Sequence, residues 1–386
     1  MDSLTPSPAT YSPATVHRAR LAIFALFFVT GIGAGIWAVH IPRVATHLHL
    51  DPGVLGLLLL SLGIGAIVSM PVASAIAARY GSRTICIITG FLYVVTMPLP
   101  ILAPSVALAF VAAPLFGLAM GGLDVAANSH GTEVEAAYGK PTMSAFHGFF
   151  SLGGLAGSAI GAGIIGLGYG NGVGAAAVSI VLLVPAVWAS FNLLPVDHSA
   201  AGVQLRWPTR AVIGIGILCG LAFALEGVVA DWSSLFLLRV KDAGAVGASA
   251  GVILFMATMT LFRFLGDGMR LRFGGRNSVL AGGLCIALGT AIAILAPWVW
   301  LNAIGFALVG VGAANVVPIL FSDAARVPGV PAAIGIASVT TLGYTGHLMA
   351  PPIIGFVARS VGLPLALSLI GVAGLIIAAG ALRLRH

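Results

Sequence analysis

The sequence predicts an all-α polytopic membrane protein, with twelve transmembrane helices arranged as two pseudo-symmetric six-helix bundles. Of its 386 residues, 59% are hydrophobic and only 8% are charged, and the mean hydropathy is +1.09. A soluble domain carries about 25% charged residues, so this composition excludes an ordinary soluble enzyme. A bilayer-spanning helix needs ~20 apolar residues, and twelve such helices leave room only for short loops. The long apolar runs exclude Pro-rich disorder, and the lack of alternating segments argues against a β-barrel.

Gly, Pro and charged residues divide the chain into twelve apolar segments. Their predicted limits are 19–46, 52–79, 83–102, 104–131, 141–168, 171–194, 210–238, 246–270, 276–296, 298–322, 331–358 and 363–382. Residues 1–18 are predicted to be a disordered cytoplasmic tail. A polar cytoplasmic linker over 195–209 separates an N-terminal bundle, 19–194, from a C-terminal bundle, 210–386.

The distribution of basic residues predicts the orientation. The net charge is +7, and the Lys and Arg residues stand in ones and twos at the ends of apolar segments. This scatter is typical of topology signals and not of a nucleic-acid-binding surface. With twelve segments and the N-terminus inside, thirteen basic residues face the cytoplasm and four face outward. Both termini are therefore expected in the cytoplasm, with the protein in a bacterial inner membrane.

The two halves repeat one another. Arg79-Tyr-Gly81-Ser-Arg83 follows the second segment, and Arg272-Phe-Gly274-Gly-Arg276 follows the eighth at an offset of 193 residues. Trp37 and Trp232 are related by a similar offset, as are Gly56 and Gly251. A duplicated six-helix unit places a substrate site between the halves, near the middle of the membrane. The residues predicted to belong to a cytoplasmic gate are Arg79, Gly81, Arg83, Arg272, Gly274 and Arg276.

On these residues the chain resembles the major facilitator superfamily over essentially its whole length. The loop motif of that superfamily has glycine and aspartate where this chain has Ser74 and Ala78. Gly122-Leu-Asp124-Val-Ala-Ala-Asn128 is similar to a signature of fucose-permease-like sugar/proton symporters. Those symporters have an acid in their first helix, and this chain has none there. The resemblance implies transport by alternating access, with a sugar or sugar derivative favoured as the substrate.

Three ionisable residues inside apolar segments are the candidates for proton coupling. A charged side chain at the helix centre costs ~2.5–3.5 kcal/mol to insert, which makes such residues functional candidates. Asp124 shares a helix face with Asn128, and His147 is expected at a similar depth, so the acid and the imidazole can share a proton. Glu226 is the third candidate. The alternatives are a structural hydrogen-bonded pair at Asp124 and a satisfied core carboxylate at Glu226.

A second set of residues combines aromatic faces with hydrogen-bonding groups, which suits a polar solute such as a sugar. Glycines interrupt the segment of Glu226, and such breaks can line a cavity. Tryptophans are also common at membrane interfaces, and that alternative stays open. The candidate substrate-binding residues are Trp37, His40, Asn128, Glu226, Asn315, Tyr344 and His347.

Three further charged residues are assigned to gates. Asp231 is expected near the outer mouth, as a gate or as an interfacial anchor. Arg263 and Asp267 are four residues apart, a spacing that favours an ion pair within the inner gate.

No nucleophile–base–orienter set and no nucleotide motif occurs in the sequence, so neither an enzyme nor a cofactor is expected. No metal is expected either, because His47 and His49 lack two further ligands. The expected partners are a small solute, protons and the lipid bilayer, and the protein is expected to be a monomer.

The function predicted is a proton-coupled secondary transporter of a small polar solute. One alternative is a drug/proton antiporter of the same fold, since Gly153, Gly157 and Gly161 resemble its fifth-helix motif with Ser158 in place of proline. The other is a transport-incompetent membrane sensor.

Overall fold

The computed structural model describes residues 11–140, 142–169, 172–195, 212–324, 326–330 and 332–384. These residues form fifteen α-helices and no strand. The helices are α1 Pro13–His47, α2 Pro52–Tyr80, α3 Ser82–Thr96, α4 Leu99–Leu102, α5 Val106–Tyr138, α6 Met143–Gly166, α7 Val173–Asn192, α8 Ile213–Arg239, α9 Gly244–Gly247, α10 Ala250–Phe273, α11 Gly275–Leu295, α12 Val299–Ala313, α13 Val316–Ala324, α14 Ala332–Val361 and α15 Leu363–Ala381.

These helices make up the predicted spans. Eleven of the described helical spans are long and apolar enough to cross a membrane. With its 30 residues, α14 supplies the twelfth. Three of the predicted segments are each divided between two helices: α3 with α4, α9 with α10, and α12 with α13.

The largest differences from the predicted boundaries are at the start of α1 and at the end of α5. α1 begins at Pro13 and not at 19, since the Ser12 side chain accepts a hydrogen bond from the Thr15 backbone N–H (3.2 Å). Residues 13–18, predicted as tail, are therefore helical. α5 continues to Tyr138, seven residues beyond the predicted end, and stops where Gly139 adopts a positive φ of 73°. The predicted linker lies outside the described residues except for Pro195.

The packing of the two halves follows a pseudo-twofold relation. Within the first half, α1 packs on α6 and α2 on α5; within the second, α8 packs on α14 and α10 on α12. Between the halves, α2 lies against α14, and α6 lies against α10. These two contacts are equivalent under the repeat, because α2 corresponds to α10 and α6 to α14. The structure therefore has the two pseudo-symmetric bundles that the repeat predicts.

Small residues bring α1 and α6 into close contact. A Cβ atom added to Gly31 would lie 2.8 Å from the Gly154 backbone nitrogen, and one added to Gly157 would lie 2.7 Å from the Ile32 Cα atom. Close backbone approach of this kind is the usual role of glycine between membrane helices. The glycines of the antiporter-like motif thus have a packing function here.

The repeated basic turns have the same conformation. Gly81 ends α2 with φ 83° and ψ 150°, and Gly274 ends α10 with φ 80° and ψ 158°. These angles fall in a region that only glycine adopts without strain. The Arg79 guanidinium lies 5.2 Å from the Tyr80 ring centroid, and that of Arg272 lies 5.4 Å from the Phe273 ring centroid. We call the end of the molecule that carries these two turns the basic end.

The opposite end is closed by contacts between the halves. α2 and α14 approach so closely that a Cβ on Gly56 would lie 3.1 Å from the Pro352 Cα atom and 3.2 Å from the Gly355 Cα atom. The Arg239 guanidinium, at the end of α8, donates to the Leu50 carbonyl (3.5 Å). Any separation of the halves at this end has to break these contacts.

Candidate functional site

The candidate site begins with a carboxylate inside α5. Asp124 lies ~21 Å from the end of α5 at Tyr138, at 1.5 Å per residue, because the helix is longer than predicted. Asn128 follows one turn later and donates from Nδ2 to Asp124 Oδ1 (3.1 Å) and to the Asp124 carbonyl (2.8 Å). The two residues were predicted to share a helix face, and in the structure their side chains form a direct hydrogen bond.

His147 joins the same group from α6. Its Nε2 donates to Asn128 Oδ1 at 3.1 Å. Asn128 therefore stands between the imidazole and the carboxylate, using its amide oxygen for one and its amide nitrogen for the other. This arrangement relays a hydrogen bond from His147 to Asp124.

The other oxygen of Asp124 is bound from the second half of the chain. The Tyr344 hydroxyl, on α14, donates to Asp124 Oδ2 at 3.1 Å. The Tyr344 ring is tilted against Phe223 of α8, with the ring centroids 6.2 Å apart. A residue assigned to substrate binding and one assigned to proton coupling thus form a direct bond between the two bundles.

A second connection between the halves is formed by Arg263 on α10. One guanidinium nitrogen lies 3.1 Å from Glu226 Oε2, in an ion pair. Another donates to the Ser151 hydroxyl of α6 at 3.2 Å. Glu226 is at the midpoint of α8, the depth at which a central site is expected. Arg263 therefore connects the mid-membrane acid of one half to a helix of the other.

These residues form one polar belt across the boundary between the bundles, which we call the interface network. Its first-half members lie on α5 and α6 and its second-half members on α8, α10 and α14. The members are Asp124, Asn128, His147, Ser151, Glu226, Arg263 and Tyr344. Ser151 connects the two parts, because its hydroxyl also donates to the His147 carbonyl (3.3 Å). Chemically, the belt can hold or pass a proton and must reorganise when the halves separate.

His347 lies beside the interface network. Its Nδ1 donates to the Phe223 carbonyl at 3.3 Å, and the ring covers Gly227, where an added Cβ would lie 2.8 Å from Nδ1. The rest of its side chain is exposed. His347 is one turn from Tyr344 on α14, so both residues are available to a solute at the network.

Three other predicted substrate residues make contacts elsewhere. Trp37 is buried, with its ring 6.3 Å from that of Phe116. His40 is fully buried and donates from Nδ1 to the Ile36 carbonyl at 2.7 Å. Asn315 occupies the break between α12 and α13 and donates to the Phe262 carbonyl of α10 (2.9 Å). The structure does not bring these three side chains into the interface network.

The remaining predicted gate residues are distributed as follows. The ion pair that Arg263 makes is with Glu226, and the Asp267 side chain lies outside the described residues. Asp231 is half-buried on α8, with no hydrogen bond to a described residue. Arg79, Arg272 and Arg276 are exposed at the basic end, and Arg83 is half-buried there.

A buried histidine at the basic end, His130, was not predicted from the sequence. The Leu194 backbone N–H donates to His130 Nε2 (3.1 Å), so Nδ1 carries the proton and donates to the Ser82 hydroxyl (2.8 Å). Ser82 in turn donates to Glu133 Oε2 at 2.5 Å. These bonds fix the start of α3 and the end of α7 to α5. The signal available in the sequence was His130 and Glu133 three residues apart, on one helix face.

Comparisons with known proteins agree with this architecture. Residues 23–351 match the sequence family described as the Major Facilitator Superfamily. An uncharacterized MFS-type transporter of Yersinia pestis is 36% identical over 360 residues, which cover 92% of this chain and 93% of the relative. A mutant of the nucleoside transporter NupG superposes with a TM-score of 0.76 at 14% identity, covering 95% of this chain and 100% of that one. A D-xylose-proton symporter gives 0.71 at 16% identity, covering 94% and 97%. The chain therefore belongs to the major facilitator superfamily, and it is an integral membrane transporter.

Proposed function

We propose that this transporter couples movement of a small polar solute to protons, by alternating access around the interface network. The observation that carries the proposal is the position of Asp124. Its two carboxylate oxygens bind opposite halves of the molecule, Asn128 on one side and Tyr344 on the other. Protonation of this acid removes one acceptor from the boundary, so its charge state bears directly on whether the halves stay together.

The substrate class we propose is a sugar or sugar derivative. The network offers hydroxyl, amide, imidazole and carboxylate groups beside the Tyr344 and Phe223 rings, which is the mixture that a polyhydroxylated ring requires. NupG is a nucleoside transporter, and another protein of this fold is a D-xylose-proton symporter. The drug/proton antiporter alternative depends on Gly153, Gly157 and Gly161, and the first two pack closely against α1 in this structure.

The test of this function is counterflow in sealed proteoliposomes, with a panel of radiolabelled pentoses, hexoses, polyols and nucleosides. Vesicles loaded with an unlabelled member should accumulate the labelled one transiently, because a carrier exchanges solute across the membrane. A proton gradient should then drive net accumulation of the same solute. Failure of every member of the panel to exchange would contradict the proposed substrate class, and exchange that ignores the proton gradient would contradict the coupling.

We also propose that the basic end faces the cytoplasm, following the count of thirteen basic residues against four. Single cysteines at Lys140, between α5 and α6, and at Asp242, between α8 and α9, report on opposite ends. In a background lacking Cys86, Cys219 and Cys285, a membrane-impermeant maleimide added to intact cells should label position 242 and spare position 140. The reverse pattern would contradict the orientation.

A further inference from the structure

A cavity separate from the interface network opens at the basic end of the second half. It has a volume of about 770 Å³ and lies between the start of α8, the end of α13 with the turn after it, and the end of α15. Ile217, Leu218 and Ile376 contribute to its wall, and Arg326 and Arg383 also line it. Both arginines are exposed.

The described residues that line the cavity carry an excess of positive charge and include one acid. Asp323 also lines the cavity. Arg270, which does not line it, lies 3.9 Å from Asp323 Oδ1 and donates to the neighbouring Ser322 hydroxyl at 3.0 Å. The negative charge of Asp323 is therefore offset by Arg270, so Arg326 and Arg383 give the cavity an excess of positive charge.

Part of the cavity wall is formed by aliphatic side chains of two membrane-spanning helices, α8 and α15. Ile217 is 51% exposed and Ile376 is 44% exposed, although both belong to membrane-spanning helices. Exposed aliphatic side chains at such positions suit contact with an acyl chain. Arg326 follows the end of α13 and Arg383 follows the end of α15, at the level where phosphate groups of a bilayer are found. A guanidinium also binds phosphate oxygens in a bidentate way, which an ammonium cannot do.

We propose that this cavity is a binding site for an anionic phospholipid, with its phosphate on Arg326 and Arg383 and an acyl chain along Ile217 and Ile376. The two arginines suit the negatively charged head group, and the aliphatic wall suits an acyl chain, whereas a neutral solute would leave the arginines without a counter-charge. Because α8 carries Glu226 and the lipid would lie at its first turns, occupancy would also stabilise the helix that positions the central acid.

The test measures thermal stabilisation of the purified full-length protein in detergent by phosphatidylglycerol, phosphatidylcholine or inorganic phosphate. Wild type should be stabilised by phosphatidylglycerol at concentrations at least tenfold lower than by phosphatidylcholine. The variant R326Q/R383Q should lose that preference. The matched control R18Q/K140Q removes the same charge from exposed positions of the first half and should keep it. The proposal would be overturned if R326Q/R383Q kept the preference for phosphatidylglycerol, or if the control lost it to the same extent. It would also be overturned if inorganic phosphate stabilised the wild type as much as phosphatidylglycerol does.

A measurement on the wild-type protein covers the case in which R326Q/R383Q does not fold. A photoactivatable phosphatidylglycerol with its reactive group near the glycerol should form adducts within 213–218 or 376–384. Competition by unlabelled phosphatidylglycerol, and not by phosphatidylcholine, should remove those adducts. Adducts found only on other helices would show that the cavity is not the lipid site.

Discussion

The Tyr344 hydroxyl lies 3.1 Å from Asp124 Oδ2, across a sequence separation of 220 residues and across the boundary between the two bundles. The bond joins the phenol of one half to a half-buried acid of the other. In the alternating access that we propose, the halves move against each other, so a bond in this position belongs to some conformations and not to others. Substitutions at Asp124 and Tyr344 therefore test most directly whether this bond holds the two bundles together.

Tyr344→Phe should favour conformations in which the bundles have separated. A hydrogen bond to a charged group contributes ~1.5–3 kcal/mol, so its removal should shift the conformational equilibrium about 10- to 100-fold. Distances between spin labels at Lys140 and Arg326, one on each half, report that shift. The control Tyr169→Phe removes a hydroxyl from an exposed tyrosine and should leave the distance distribution unchanged. An unchanged distribution in Tyr344→Phe would show that the bond does not hold the halves together.

Arg263→Gln should destabilise the protein because it leaves Glu226 without its cation. The pair is partly exposed, with 29% of the Arg263 side chain and 16% of the Glu226 side chain accessible, so the cost should be ~2 kcal/mol and not the full cost of a buried unpaired charge. The double variant Glu226→Gln with Arg263→Gln should recover most of the lost melting temperature. Melting curves of the two single variants and the double variant decide this, and strictly additive losses would argue against a direct pair.

Gly274→Ala should destabilise the protein through backbone strain alone. An added Cβ meets nothing within 4 Å, but φ of 80° and ψ of 158° suit only glycine, at a cost of ~1–3 kcal/mol for another residue. Gly163→Ala is the matched control, because its Cβ also meets nothing within 4 Å and its φ is ordinary. A lower melting temperature is expected for Gly274→Ala only. Equal behaviour of the two variants would contradict the strained turn.

The helices and the duplication could be predicted because apolar segments, turn glycines and helical spacings can be read directly from the sequence. The glycines of the two basic turns, Gly81 and Gly274, were found by their offset of 193 residues, and their nearly identical φ and ψ reflect the duplication. The pairing of Asp124 with Asn128 was predicted by the i, i+4 spacing of a helix.

The interface network could be predicted only in part. The bond from Tyr344 to Asp124 depends on how the bundles pack, and no local spacing encodes it. Packing of α10 on α8 brings Arg263 to Glu226, 37 residues away, and no local spacing encodes that pair either. The end of α5 was predicted at 131, before Glu133 and Glu135, and lies at Tyr138. Glu133 accepts a hydrogen bond from Ser82, and Glu135 accepts from the backbone of Thr142 and Met143 at the start of α6.

The most direct test of proton coupling uses Asp124→Asn, which keeps the side-chain size and removes the titrating group. The solute is the member of the counterflow panel that exchanges in wild-type vesicles. Asp242→Asn, in the loop after α8, is the control and should behave as wild type. Asp124→Asn should abolish accumulation driven by a proton gradient and leave counterflow largely intact, because counterflow needs binding and rocking but no net proton movement. Full gradient-driven accumulation in Asp124→Asn would contradict proton coupling through this residue.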